Sequence, residues 1–238
     1  MKNAMKIVGI FVVSLVAVST LHAAEATLSL DIASAYVFRG ATLNDGLVMQ
    51  PGLEVGGLGG LRIGVWGNYD IDDYDDSLAG DQFSEIDIYG SYAIPLECMD
   101  LSVGYMEYTF PSAGGDADRE ISANVGGTLA GIDLGAGVFY GIDGGLDESL
   151  YVELFAGKSL NLTDDLGLDL GSALGYASPD DGADGFSHFT LSLGVNYASF
   201  SAGITYIGQI DDDVLPDVAD GGGYDSDVVG TIGTSITF

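Results

Sequence analysis

The chain has 238 residues, with 36 acidic against six basic side chains, a formal net charge of −30 and a mean hydropathy of +0.31. A balance this acidic excludes nucleic acid as a partner, because phosphates are held by Lys and Arg. The single cysteine, Cys98, excludes an intrachain disulfide, and no run approaches the ~18 consecutive apolar residues that a transmembrane helix needs.

Residues 1–24 read as a secretory signal peptide. Lys2 and Lys6 form the positive start, Ile7 to Val18 the apolar core, and small residues follow, with cleavage after Ala23, Ala24 or Ala26 equally consistent with them. Residues 25–238 then form one domain whose only bases are Arg39, Arg62, Arg119 and Lys158. Twelve alternating runs fill it. In chain order they are Leu28 to Phe38, Val48 to Val55, Leu61 to Tyr69, Glu85 to Ile94, Leu101 to Phe110, Glu120 to Leu129, Leu134 to Ile142, Leu150 to Leu160, Leu166 to Tyr176, His188 to Tyr197, Phe200 to Ile207 and Val228 to Phe238. Successive strand side chains face opposite ways, so each run has one greasy face and one small or polar face. Each has the length of a tilted membrane-crossing strand, ~9–11 residues.

The connections alternate in kind. Gly56–Gly60, Pro95–Asp100, Gly131–Asp133, Asn161–Asp165 and Ala198–Ser199 are short; those between them are mostly longer and acidic, the longest being Asp70–Phe83 and Gln209–Asp227. The acidic run Asp70 to Asp76 lacks the glycine and the closing glutamate of a calcium-binding loop, so no metal site is expected there. Outward-parity aromatics sort by strand end. Tyr36, Phe38, Tyr69, Tyr140, Tyr176, Phe189 and Tyr206 fall at the loop end, and Tyr92, Tyr197, Phe200 and Phe238 at the turn end, as two interfacial belts would require. Glu107 misfits: its parity is outward, and a bulge near Met106 would turn it inward.

The expected fold is therefore all-β, a transmembrane antiparallel up-and-down barrel of about 12 strands in the bacterial outer membrane. The closing strand ends on Phe238, like the terminal aromatic read by the barrel-assembly machinery of such proteins. The pieces Ser34-Ala35-Tyr36-Val37-Phe38-Arg39-Gly40, Gly64-Val65-Trp66-Gly67-Asn68 and Glu85-Ile86-Asp87-Ile88-Tyr89-Gly90-Ser91-Tyr92 resemble the TorF family of outer-membrane porins. The likeness is clearest up to about Pro111, and it implies membrane location more firmly than substrate.

Parity places Asp31, Glu54, Glu85, Asp87, Glu120, Glu153 and Asp169 on the inward face, opposed by Arg39 and Arg62. A lining of one dominant sign selects permeating ions, which points to passive diffusion of small solutes, with cations or neutral molecules favoured. Glu54 and Arg62 are expected to form an ion pair of structural value. Arg39 is expected to pair with an outer-loop carboxylate or with Glu85 as part of a constriction. Trp66, Tyr89 and Tyr108 are inward aromatics, more readily read as filling volume than as a sugar platform. Inward glycines, among them Gly64, Gly135, Gly171 and Gly233, suggest an unfilled interior, although glycine also relieves barrel bends. A lipid hydrolase needs a Ser/His pair oriented by a third group. The only histidine after residue 24 is His188, with no recognised nucleophile motif beside it. A lumenal wall residue is the simpler reading. No cofactor is implied, and outer-membrane lipid and small solutes are the expected partners. A closed barrel acting through its acidic loops is the competing reading.

Overall fold

The structure, a computed structural model, describes residues 24–72, 80–217 and 223–238. The signal segment and most of the acidic run, from residue 73 to 79, lie outside the described residues. Among the described residues fourteen strands form: β1 (Glu25–Ala33), β2 (Tyr36–Phe38), β3 (Ala41–Asn44), β4 (Val48–Leu58), β5 (Leu61–Asp70), β6 (Gln82–Ile94), β7 (Asp100–Thr109), β8 (Asp118–Leu129), β9 (Ile132–Asp143), β10 (Leu150–Asn161), β11 (Leu166–Ser178), β12 (Gly185–Tyr197), β13 (Phe200–Gln209) and β14 (Val228–Thr237). Twelve of them make a closed antiparallel barrel in which each strand pairs with its chain neighbours. β1 closes the ring, pairing with β4 on one side and with β14 on the other, where Thr27 faces Thr237 and Ala33 faces Thr231. Phe238 extends the seam, its backbone N–H donating to Ala26 at 2.9 Å. No strand in the ring is left with a bare edge, the condition for a sheet to stand in hydrocarbon.

The alternation governs which face goes where. Ile63, Ile88, Ile121, Leu154, Leu191, Ile204, Ile232 and Ile236 are exposed on the outside, and their neighbours in sequence point in. Short turns gather at one end. At Gly59–Gly60 both residues have positive φ, the geometry that matches the twist of a two-residue hairpin. The other end carries the longer loops. Tyr92, Tyr197, Phe200 and Phe238 are exposed at the turn end, and Tyr140 and Tyr206 at the loop end, where Tyr69 packs on Phe83, Tyr176 on Phe186 and Phe189 on Tyr206. Several strands run further toward the loops than the alternation suggests; β6 begins at Gln82 and β12 at Gly185.

The first run is where the structure departs most from the sequence reading. It is not one strand from Leu28 to Phe38. β1 ends at Ala33, the chain turns at Ser34, and β2 and β3 form a separate two-stranded hairpin. Tyr36 and Phe38 therefore do not belong to an outer aromatic belt. Tyr36 is buried, and it forms an apolar cluster with Ala33, Ala35, Val48, Ile207 and Val229, against which Phe38 packs. Val48 and Val229 alternate with outward residues of β4 and β14, so this cluster lies inside the barrel, in its loop-end half.

Glu107 is the second correction. β7 pairs with β6 and β8 without a bulge, so Glu107 keeps its outward parity. It is compensated in place: Arg119 donates from Nε at 3.0 Å, Tyr105 donates from its hydroxyl at 3.0 Å, and Arg119 also pairs with Asp143. The third correction concerns the glycines. A side chain at Gly64 would collide with the Tyr89 ring, one at Gly135 with Phe155, one at Gly171 with Ser192 and one at Gly233 with Asp31. Gly64 and Gly135 make room for rings lying on the wall, the way aromatic side chains cover sheet glycines, and Gly171 and Gly233 for a hydroxyl and a carboxylate of the next strand, rather than leaving the bore empty.

Leu191 sits midway along β12 and is 53 % exposed on the outer face. Leu191→Arg is expected to lower the unfolding free energy in lipid vesicles by ~2–4 kcal/mol, the cost of a guanidinium at the bilayer midplane. A change within ~0.5 kcal/mol, as for a water-facing position, would contradict the assignment of that face.

Candidate functional site: a hairpin inside the lumen

The hairpin β2–β3 turns on Arg39 and Gly40, whose φ values are +52° and +86°. Positive φ at both central residues defines the tight turn that best suits a two-residue hairpin, and glycine is the residue that tolerates it at the second position. Gly40 has a second reason to be glycine. A side chain there would meet the His188 ring and Leu215. The turn delivers Arg39 to the far wall. Its guanidinium donates twice to the Glu120 carboxylate on β8, at 2.9 and 2.7 Å. It also lies over three rings, 4.7 Å from the Phe38 centroid, 5.0 Å from Phe139 on β9 and 4.4 Å from Tyr151 on β10. Both bonds come from one nitrogen, Nη2, a charge-assisted contact to the two carboxylate oxygens, and the ring faces complement the cation.

The rest of the hairpin is held along its length. The Tyr36 hydroxyl donates to Glu85 on β6 at 3.0 Å, its ring packs on Trp66 of β5 at 5.6 Å, and Phe38 meets Tyr108 of β7 edge-on at 5.8 Å. Asn44 donates to Asp70 at 2.9 Å, as does Asn68, and Ser84 adds a third bond at 3.1 Å. Asp70 is thus a buried anchor rather than a loop carboxylate. From above, the last loop lies over the hairpin. The backbone N–H of Thr42 donates to Gly223, Ser226 donates back to the Thr42 hydroxyl, and Leu215 is buried against Gly40. In that loop the Tyr224 hydroxyl bonds Asp227 and the backbone oxygen of Ile207. Burial first, and the Asp227 carboxylate second, push the Tyr224 phenol up to about 12.

The inward residues therefore divide into two zones. Glu85, Asp87, Tyr108, Glu120 and His188 are buried around the hairpin in the loop-end half, with Arg39 and Trp66 packed among them. Glu153 belongs to the same zone and accepts from the Tyr151 hydroxyl at 3.3 Å. In the turn-end half, Arg62 and Glu54 form an ion pair at 2.7 Å that is about one-third exposed on each side, and Tyr89 donates to Glu54 at 3.3 Å. Asp169 accepts from Asn196, and Asp31 stands over Gly233. Arg39 thus pairs with neither an outer-loop carboxylate nor Glu85, but with Glu120. The sequence reading did not single out Phe139 or Tyr151, both on inward parity at the loop end of their strands; Arg39 directly after Phe38 was the hint of a ring-lined cation.

His188 stacks on Tyr151 and its Nδ1 shares a hydrogen bond of 3.0 Å with Ser187, which is buried at 2 % exposure. This is the nitrogen that a hydrolytic triad reserves for its orienting carboxylate. The pair is a buried wall contact, without the geometry of a nucleophile and its base. Among the described residues no group of three or more His, Cys, Asp or Glu converges to hold a metal ion, and no helix is long and apolar enough to cross a membrane.

Closed barrel, apolar exterior and polar interior define the porin-like fold of outer-membrane proteins. The chain belongs to the family described as "Bacterial protein of unknown function (Gcw_chp)", which matches residues 20–229. No curated protein sequence matches it. Among solved structures it is similar to the KdgM porin, with a TM-score of 0.54 at 7 % identity over 89 % of this chain and 99 % of that one. The NanC porin gives 0.54 at 12 % over 87 % and 98 %, and an outer membrane channel from Pseudomonas putida F1 gives 0.53 at 8 % over 93 % and 97 %. At these identities the likeness is one of fold.

Removing the guanidinium leaves Glu120 buried without a counter-charge, at 4 % side-chain exposure, with only the Tyr108 hydroxyl donating to it. Arg39→Ala is expected to cost about 3–5 kcal/mol of unfolding free energy, with part recovered in the Arg39→Ala/Glu120→Gln double variant. A cost below ~1 kcal/mol would show that the pair is solvated like a surface bridge.

Proposed function

We propose that the protein is an outer-membrane channel for passive diffusion of small solutes, favouring cations or neutral molecules, in which the inserted hairpin restricts the loop-end half of the bore. The reading includes export through residues 1–24, assembly guided by Phe238 and pore-lining roles for the inward residues named above. It also keeps the TorF-type resemblance as the finer family assignment. The observation that supports it best is the sign of the interior. The seven carboxylates of inward parity, Asp31, Glu54, Glu85, Asp87, Glu120, Glu153 and Asp169, are joined by the buried Asp70 and share the barrel with two arginines, and both arginines are spent on carboxylates. A wall of excess negative charge raises the local concentration of cations and opposes anions.

The burial of the hairpin favours a second reading, a closed barrel that acts through its acidic loops. Planar-bilayer recording separates the two. The channel reading expects small unitary steps, a reversal potential displaced toward the cation equilibrium in a salt gradient, and larger steps once residues 36–44 are replaced by a short glycine–serine link. Folded protein that gives no steps in either form would support the closed barrel, and an anion-directed reversal potential would overturn the selectivity.

A further inference from the structure

The carboxylates of the β5–β6 wall are not equally provided for. Asp70, Glu85 and Asp87 are all buried, at 0, 4 and 0 % exposure. Asp70 receives three donors on Oδ1, although none reaches Oδ2. Glu85 receives the Tyr36 hydroxyl. Asp87 receives no donor from the groups around it; what its carboxyl meets is the Glu85 carboxyl. It stands two residues from Glu85 on the same face of β6, with Trp66 opposite on β5 and Tyr108 opposite on β7.

The surrounding groups are already committed. Arg39 is engaged by Glu120 and by three rings, and the Tyr108 hydroxyl donates to Glu120 at 3.3 Å. A dry carboxylate that lacks both a donor and a counter-charge is among the costliest arrangements a protein can hold. Asp87 is in that position, and the buried Glu85 beside it has one donor and no counter-charge, so the pair calls for a positive ligand.

We propose that Glu85 and Asp87 bind a hard divalent cation of calcium size at the foot of the lumenal hairpin. The pair supplies two negative charges, which a divalent ion cancels. The side chains around it offer carboxylate and phenol oxygens rather than sulfur or imidazole, which selects a hard ion. The remaining positions fall to neutral oxygens and water, because among the described residues no third carboxylate or imidazole converges on the point. Calcium accepts such an irregular, partly aqueous shell, whereas magnesium demands near-ideal octahedral geometry. With only two carboxylates the affinity belongs in the ~10⁻⁴–10⁻³ M range typical of weak extracellular calcium sites. Through the Glu85–Tyr36 hydrogen bond the ion stiffens the hairpin. The proposal rests on the buried pair and not on whether the barrel conducts.

Trp66 is the only tryptophan in the chain. It pairs in register with Asp87 and touches the Tyr36 ring, so its fluorescence reports this site and not the acidic loops. Full-length protein folded in detergent and treated with chelator is titrated with calcium chloride at constant ionic strength and pH. The expected result is a saturable change in Trp66 emission with a midpoint between ~0.1 and 1 mM, at least tenfold weaker with magnesium. Asp87→Asn abolishes it, while Asp181→Asn in an exposed loop preserves it. Glu85→Gln serves as the second variant should Asp87→Asn fail to fold. The proposal is overturned by the absence of a saturable calcium response in the wild type, or by an unchanged response in both variants. A response to pH alone, with calcium inert, overturns it in favour of a proton shared by the two carboxylates.

Discussion

A strand surrounded by hydrocarbon has nowhere to place its N–H and C=O groups except on a neighbouring strand. That constraint sets the rest of this structure. It requires the sheet to close, which β1 accomplishes by pairing with β4 and β14 at once. Once closed, the two-residue period of a strand becomes a division between two solvents, with isoleucine, leucine and valine outside and aspartate, glutamate, serine and glycine inside. The interior then inherits whatever groups the sequence assigns to one parity, and here carboxylates outnumber arginines.

A negative, glycine-rich interior would by itself make a wide, wet bore. The chain prevents that at one end. The first loop folds inward as a hairpin instead of rising into solvent, and a cluster of apolar contacts, a tyrosine–carboxylate bond and an arginine clamped between a glutamate and three rings hold it there. The result has a dry half and a wet half. Ion pairs in the two halves should differ accordingly. Arg39–Glu120 is desolvated, so breaking it exposes the full cost of an orphaned charge. Arg62–Glu54 is about one-third exposed and carries little net stability.

The barrel was legible in the sequence because closure and side-chain period act residue by residue. Each run from Val48 onward shows its two faces in its own letters, and each short turn announces itself with glycine or a polar pair. The hairpin was not legible, for an equally physical reason. From Leu28 to Phe38 the apolar parity lapses only at Ser34, where the chain leaves the sheet, and resumes at once with Tyr36 and Phe38. Tyr36 and Phe38 therefore keep the parity of an outer belt while sitting in the lumen. What marks the break is the Arg39-Gly40 pair between two short alternating pieces, a turn signal that weighs little beside eleven residues of good strand pattern. Glu107 failed differently. An outward glutamate argues for a bulge only if its charge stands alone, and its partner Arg119, itself paired with Asp143 of β9, comes from β8, too far along the chain for parity to reveal. The inward glycines misled because a missing side chain says nothing about the ring on the next strand that covers it.

The claim on which the account turns is that residues 36–44 belong to the interior of the barrel. Amide hydrogen exchange on the detergent-folded protein tests it most directly. The account predicts that the backbone N–H of Thr42 and its neighbours exchange as slowly as those of β4 and β5, and far more slowly than those of the exposed loop at residues 111–117. Exchange of residues 36–44 at the rate of that loop would contradict it.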